Sequence, residues 1–229
     1  MKRIVAIGGG ELREKTTLEI DTFIASLVKN PEKRTYALFI PTASHDSKPY
    51  FNTFRKTYTS VLDCKVDVAI TTKGEMSMDH VAEKFAKADI IYVGGGDTAY
   101  MMQEWAKSGV DKLIFDAYER GVVICGLSAG AICWFEKAHS DYLKMEGESQ
   151  EYAVLDGYGL LDGICVPHYS EQDRIESFEK MSKDYDRAIC IENDCGVYFE
   201  DGKLVGAVGK GKAYIYTKGE KQEIEKLNA

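Results

Sequence analysis

A chain of 229 residues, 45% hydrophobic and 29% charged, is long enough for one generous α/β domain and short for two. Its formal net charge of −8 speaks against a nucleic-acid binder, which needs a basic face, and against adsorption to anionic membrane. No apolar run approaches the roughly 20 residues of a membrane-spanning helix.

After Met1-Lys2-Arg3, the apolar stretch Ile4–Ile7 is too short for a signal-peptide core and runs into Gly8-Gly9-Gly10. It reads as a first strand, and the protein as cytoplasmic. A helix is expected over Lys15–Val28 and a buried strand over Tyr36–Ile40, stopped by Pro41. A helix at Pro49–Ser60, a strand at Lys65–Ile70 and a helix at Ser77–Ala88 follow. Asp89–Val93 is a strand broken by Gly94-Gly95-Gly96. Ala99–Lys107 and Val110–Arg120 read as helices, Val122–Cys125 as another buried strand, and Ala131–Lys137 as a further helix. Gly163–Val166 is a short apolar stretch. The last part changes rhythm: Ala188–Ile191, Gly196–Glu200, Lys203–Val208 and Ala213–Thr217 are strands joined by short turns, with Asp201-Gly202 a hairpin signal. Continuous apolar strands alternating with amphipathic helices predict an α/β fold, a mostly parallel doubly wound sheet with helices on both faces. Antiparallel hairpins are expected to extend that sheet at the C-terminal end. No linker or internal repeat divides the chain, so one domain over 1–229 is the simplest organisation.

The sharpest chemical signal is Gly126-Leu127-Ser128-Ala129-Gly130, between a strand and a helical run. That is the context of a nucleophile elbow, where a serine on a tight turn needs neighbours without bulk. At a helix N-terminus, free N–H groups favour developing negative charge. The N–H of Ala129 is one candidate oxyanion donor. A serine nucleophile needs a base, and His168 in Val166-Pro167-His168-Tyr169 falls at a strand end, where ligands gather in open α/β sheets. His45, His80 and His139 are weaker candidates. The imidazole needs an orienting acid. Glu192, at the end of Ala188–Ile191, and Asp141, in the loop beyond the elbow, both qualify on residue chemistry.

The turn Gly94-Gly95-Gly96-Asp97-Thr98 lets backbone approach a substrate, and its N–H groups suit an oxyanion or a carboxylate. It matches neither of the glycine spacings that bind nucleotides. Arg174 could pair with a substrate carboxylate. Tyr50, Phe51, Phe54 and Tyr58 read as core or pocket wall. Cys64, Cys125, Cys133, Cys165, Cys190 and Cys195 form no Cys-x-x-Cys pair and read as buried thiols of a reduced protein. No histidine spacing suits a metal site, so no metal or cofactor is expected.

These motifs resemble the peptidase E–cyanophycinase group of serine peptidases. The resemblance rests on Pro41-Thr42-Ala43-Ser44, the Gly94–Thr98 turn, the Gly126–Ala131 elbow and Pro167-His168. It implies a fold like the class I glutamine amidotransferases, with serine in place of the usual cysteine, and a cofactor-free hydrolase. It implies a Ser-His-Glu triad of Ser128, His168 and Glu192, with Asp141 the alternative third member. The implied oxyanion donors are the backbone of Gly96 and Ala129, and Asp97, Thr98 and Arg174 fall in the substrate-binding segments. Asp97 stands where many relatives carry asparagine, and the segment from His168 to Arg174 is short for peptidase E.

The expected function is therefore a cytoplasmic serine peptidase acting on short peptides, resembling an aspartyl dipeptidase, with neither nucleic acid nor membrane as partner. Monomer and homodimer both remain open. A cyanophycinase-like enzyme, an esterase with the order Ser128, Asp141, His168, and a non-catalytic small-ligand binder on the same fold are the alternatives.

Overall fold

The computed structural model describes residues 1–28, 30–74 and 76–227. In chain order its elements begin with β1 (Arg3–Ile7), α1 (Leu18–Ser26), β2 (Tyr36–Ile40), α2 (Lys48–Ser60), β3 (Lys65–Val68), α3 (Met78–Lys87) and β4 (Ile90–Val93). They continue with α4 (Thr98–Ser108), α5 (Val110–Glu119), β5 (Val123–Leu127), α6 (Ala129–Ile132), β6 (Phe135–Ser140) and α7 (Tyr142–Met145). Then follow β7 (Ala153–Asp156), β8 (Leu161–Val166), α8 (Gln172–Met181), β9 (Arg187–Ile191), β10 (Cys195–Glu200), β11 (Lys203–Gly209), β12 (Ala213–Thr217) and β13 (Glu220–Glu223).

The continuous apolar strands are explained by what covers them. Val5, Phe39 and Tyr92 pack in one buried cluster, while Ile4, Leu38 and Ile91 pack in another. Alternate side chains point to opposite faces, so both faces of this sheet are covered, as its composition demands. Helices α1 and α2 contribute Ile20, Phe54 and Tyr58 to the first cluster. Helices α3, α4 and α5 contribute Phe85, Trp105 and Ile114 to the second.

The strands form two sheets rather than the single sheet expected. The seven-stranded sheet has the order β11-β10-β1-β5-β4-β2-β3. Within it β1, β5, β4, β2 and β3 run parallel, and β10 and β11 are antiparallel additions. The six-stranded sheet has the order β13-β12-β9-β8-β6-β7, with β6, β8 and β9 parallel. The expected helix Ala131–Lys137 is the point of departure. Helix α6 stops at Ile132, and Phe135 begins a strand that founds the second sheet. A short apolar run such as Cys133-Trp134-Phe135 fits helix and strand equally. Pairing decides here: Tyr158 N–H donates to Cys133 O at 2.8 Å, and Leu161 N–H to Trp134 O at 3.0 Å. Asp201 and Gly202 do turn the β10–β11 hairpin, both with positive φ, 47° and 77°. All six cysteines are buried and free. Among the described residues no helix is long and apolar enough to cross a membrane.

Beneath α1 lies a buried carboxylate. Asp21 accepts from Thr17 Oγ1 at 2.8 Å and from Tyr58 Oη at 2.9 Å. Burial pushes its pKa up to about 6, and the two hydrogen bonds only partly oppose this. The fold therefore holds the proton more tightly than the unfolded chain does, and stability from this group falls as pH rises from about 4 to about 6. Asp21→Asn cannot titrate. Its unfolding free energy should gain about 2 kcal/mol on wild type between pH 4 and pH 7. Denaturant titrations at the two pH values measure the gap, and a gap that does not change with pH would refute the assignment.

Candidate active site

Ser128 follows β5 with φ 53° and ψ −110°, a conformation that a residue with a side chain adopts only under constraint. The constraint is visible. Ser128 N–H donates to Ile7 O at 2.9 Å, and Ser128 O accepts from Ala131 and Ile132 N–H. The flanking glycines let the turn close against the sheet. A Cβ at Gly126 would lie 2.2 Å from Gly130 O, and one at Gly130 would lie 2.3 Å from Val93 O. Both collisions are with backbone.

His168 follows β8 of the other sheet. Its N–H donates to Gly8 O and the next N–H, of Tyr169, to Ile191 O, both at 3.0 Å. The backbone is thereby pinned between the ends of β1 and β9, with φ 49° at His168. The ring's Nε2 lies 2.9 Å from Ser128 Oγ, and its Nδ1 lies 2.7 Å from Asn193 Oδ1. An amide oxygen only accepts, so Nδ1 carries the proton and Nε2 turns its lone pair to the serine hydroxyl. Gly9 leaves room for this pair. A Cβ there would lie 2.0 Å from Asn193 Oδ1 and 2.4 Å from His168 Nδ1.

Neither acid expected beside the histidine meets it. The carboxylate of Glu192 accepts from Lys212 N–H at 2.9 Å and from Tyr214 Oη at 3.2 Å, toward β12. Asn193, one residue on, faces His168. Successive side chains leaving a strand point to opposite sides, so the expectation sat one residue out of register. Asp141 accepts instead from Arg174 Nη2 at 2.8 Å. Another carboxylate comes near the ring: Glu171 Oε1 is 3.9 Å from His168 Nδ1.

The remaining expected site residues divide. Gly96, with φ 139°, borders the cleft above Ser128, and its ideal Cβ would lie 2.2 Å from Ala43 O. Among the described residues the N–H groups of Gly96 and Ala129 make no hydrogen bond. Asp97 instead caps α4, accepting from Tyr100 N–H at 2.9 Å, and Thr98 is buried beneath it, facing Ser140 Oγ. Arg174 is also buried and does not line the cleft. Its side chain is 1% exposed, it donates to His139 O at 3.3 Å, and it lies over the Tyr152 ring. Burial pushes the neighbouring His139 down to about 3, so that ring stays neutral, paired with Ser177 Oγ at 3.1 Å.

Residues 4–206 match the profile of peptidase family S51. The chain belongs to that family. It is 36% identical over 183 residues to the uncharacterized peptidase YgaJ of Bacillus subtilis, covering 79% of this chain and 75% of that protein. A peptidase from an acI-B1 Actinobacterium superposes with a TM-score of 0.74, covering 99% of this chain and 95% of the other at 17% identity. A putative peptidase E protein from Listeria monocytogenes gives 0.65, covering 90% and 97% at 22% identity. These two likenesses are of fold.

In this S51 peptidase, a serine-type hydrolase, Ser128 and His168 open onto a cleft of about 500 Å³, a size ordinary for a substrate pocket. Leu12, Tyr50, Leu127 and Met145 give it apolar walls, and Glu11, Arg13 and Asp141 give it charge. The Tyr50 phenol, raised to about 12 by burial, accepts from Gly95 N–H at 3.2 Å and so orients the glycine turn. Sequence reasoning passed over Asn193, Arg13 and Glu11. The strand end Ile191-Glu192-Asn193 carried the signal for Asn193, had alternation been continued past the acid.

Proposed function

We propose that this S51 peptidase hydrolyses short peptides through an acyl-enzyme on Ser128, with His168 as base and Asn193 as the group that orients it. The observation that carries the reading is the constrained serine with Oγ 2.9 Å from His168 Nε2. His168 takes the Ser128 proton as Oγ attacks the scissile carbonyl. The N–H groups of Gly96 and Ala129 receive the tetrahedral oxyanion. His168 then protonates the leaving amine, and water, activated by the same imidazole, releases the acyl group. Asn193 fixes the productive tautomer without contributing charge, a role that an amide also fills in Cys-His-Asn peptidases.

Asp141, held by buried Arg174 and lining the cleft, is placed to meet the free α-ammonium of a substrate. That favours peptides cleaved close to their amino terminus, the dipeptidase-like reading. Six buried free thiols suit a reducing compartment, and we place the protein in the cytoplasm.

A fluorophosphonate probe tests the chemistry. Peptide mapping should find a single adduct, on Ser128, and His168→Ala should slow its formation by about a hundredfold or more. An adduct on another residue, or labelling undiminished in His168→Ala, would defeat the proposal.

A further inference from the structure

The catalytic cleft does not end at its own rim. A second depression of about 490 Å³ adjoins it and shares Leu12, Arg13, Pro49 and Thr53 with it. It runs between the loop after Gly10 and the exposed side of α2. Its charges are Arg13, Lys15 and Lys56, and no acidic residue lines it among the described residues. None of these three side chains makes a hydrogen bond or ion pair among the described residues. In a chain of net charge −8, three unpaired cations lining one groove are a local reversal of sign. The cleft around Ser128 shares Arg13 but adds two carboxylates of its own, Glu11 and the Arg174-paired Asp141. The two together are bipolar.

A peptide is bipolar in the same sense. Its acyl half leads to an α-ammonium and its leaving half to an α-carboxylate. The side of the serine agrees. The leaving amine departs toward His168, and Gly9, whose ideal Cβ lies 2.4 Å from His168 Nδ1, starts the loop that carries Arg13 and Lys15. We infer that the Arg13–Lys15–Lys56 groove is the leaving-group subsite, and that it receives the α-carboxylate and acidic side chains of peptides extending beyond a dipeptide. This rests on the proposed cleavage at Ser128 for its direction, though not for its charge.

Calorimetry on Ser128→Ala separates the two, because it needs no turnover. The probes are the tetrapeptides Ala-Ala-Glu-Glu, Ala-Ala-Lys-Lys and Glu-Glu-Ala-Ala. Ala-Ala-Glu-Glu should bind roughly tenfold more tightly than either of the others at low salt, the sum of a few exposed charge pairs. The margin should shrink in high salt. Adding Arg13→Gln, Lys15→Gln and Lys56→Gln should bring it below about twofold, whereas Lys112→Gln, a charge loss on exposed α5, should leave it intact. Thermal melting of the substituted protein confirms that these surface changes keep the fold. Equal binding of the three peptides, tighter binding of Glu-Glu-Ala-Ala, or no binding of Ala-Ala-Glu-Glu at millimolar concentration would overturn the inference. A preserved preference in a protein whose wild type cleaves no peptide would remove the catalytic reading and with it the leaving-group direction, and would leave the groove as a site for acidic peptide ends alone.

Discussion

Ser128→Ala is expected to lower kcat/KM for any cleaved peptide by about ten-thousandfold or more. Alanine removes the atom that would form the acyl bond while leaving the N–H groups of Gly96 and Ala129 where they are. Some acceleration over water should therefore survive, since oxyanion donors and substrate positioning act without the nucleophile. Stability gives an independent reading of the same position. Ser128 holds φ 53° and ψ −110°, and glycine occupies such a conformation at less cost than a residue with a Cβ. Ser128→Gly should be as inactive as Ser128→Ala but more stable than it by about 1 kcal/mol or more in denaturant titrations. Measurable turnover near the wild-type value in Ser128→Ala would reject the nucleophile. Equal stability of the two variants would mean that the elbow is not under constraint.

What the sequence made legible follows from how local each determinant is. The glycines of the Ser128 turn, the strand before them and the Pro167-His168 pair are local features, and the structure brings Ser128 and His168 to 2.9 Å. The parallel strands were legible because burial on both faces leaves unbroken apolar runs such as Tyr36–Ile40. The division into two sheets was not, because nothing in Cys133-Trp134-Phe135 distinguishes a continuing helix from a strand. The partners at Tyr158 and Leu161 that settle it are supplied by a later part of the chain. The same limit explains the partner of the His168 ring. Chemistry favours a carboxylate, which pointed to Glu192, but the strand's alternation directs Glu192 to Lys212 and Tyr214 and leaves Asn193 for the histidine. Arg174 read as a substrate clamp by residue type. Its burial beside Asp141 makes it a support for an acid in the cleft.

Gly9→Ala should abolish most of the activity without touching a reacting atom. The added methyl would overlap Asn193 Oδ1 and His168 Nδ1, the two atoms whose contact sets the ring. His168's backbone is held by Gly8 O and Ile191 O through its own N–H and that of Tyr169, so the imidazole can yield only by rotating away from Ser128. The fold can survive, because the nearest obstacles are ends of side chains and not backbone. The expected result is a loss of about a hundredfold to ten-thousandfold in kcat, with a melting temperature within a few degrees of wild type. Two further variants show whether the loss comes through Asn193. Asn193→Ala removes only the acceptor for Nδ1 and should lose at least about tenfold in kcat, whereas Glu192→Gln should stay within about threefold of wild type, as its carboxylate bonds to β12. Full activity in Gly9→Ala would place the working histidine elsewhere. A Glu192→Gln variant as damaged as Asn193→Ala would return the orienting role to the acid, through a rearrangement that breaks its bonds to Lys212 and Tyr214. Those bonds tie Glu192, just past the end of β9, to Lys212 and Tyr214 at the start of β12. Breaking them would also loosen β9 from β12, so a true catalytic rearrangement would announce itself as a shared loss of activity and stability, where loss of the Asn193 acceptor alone lowers only kcat.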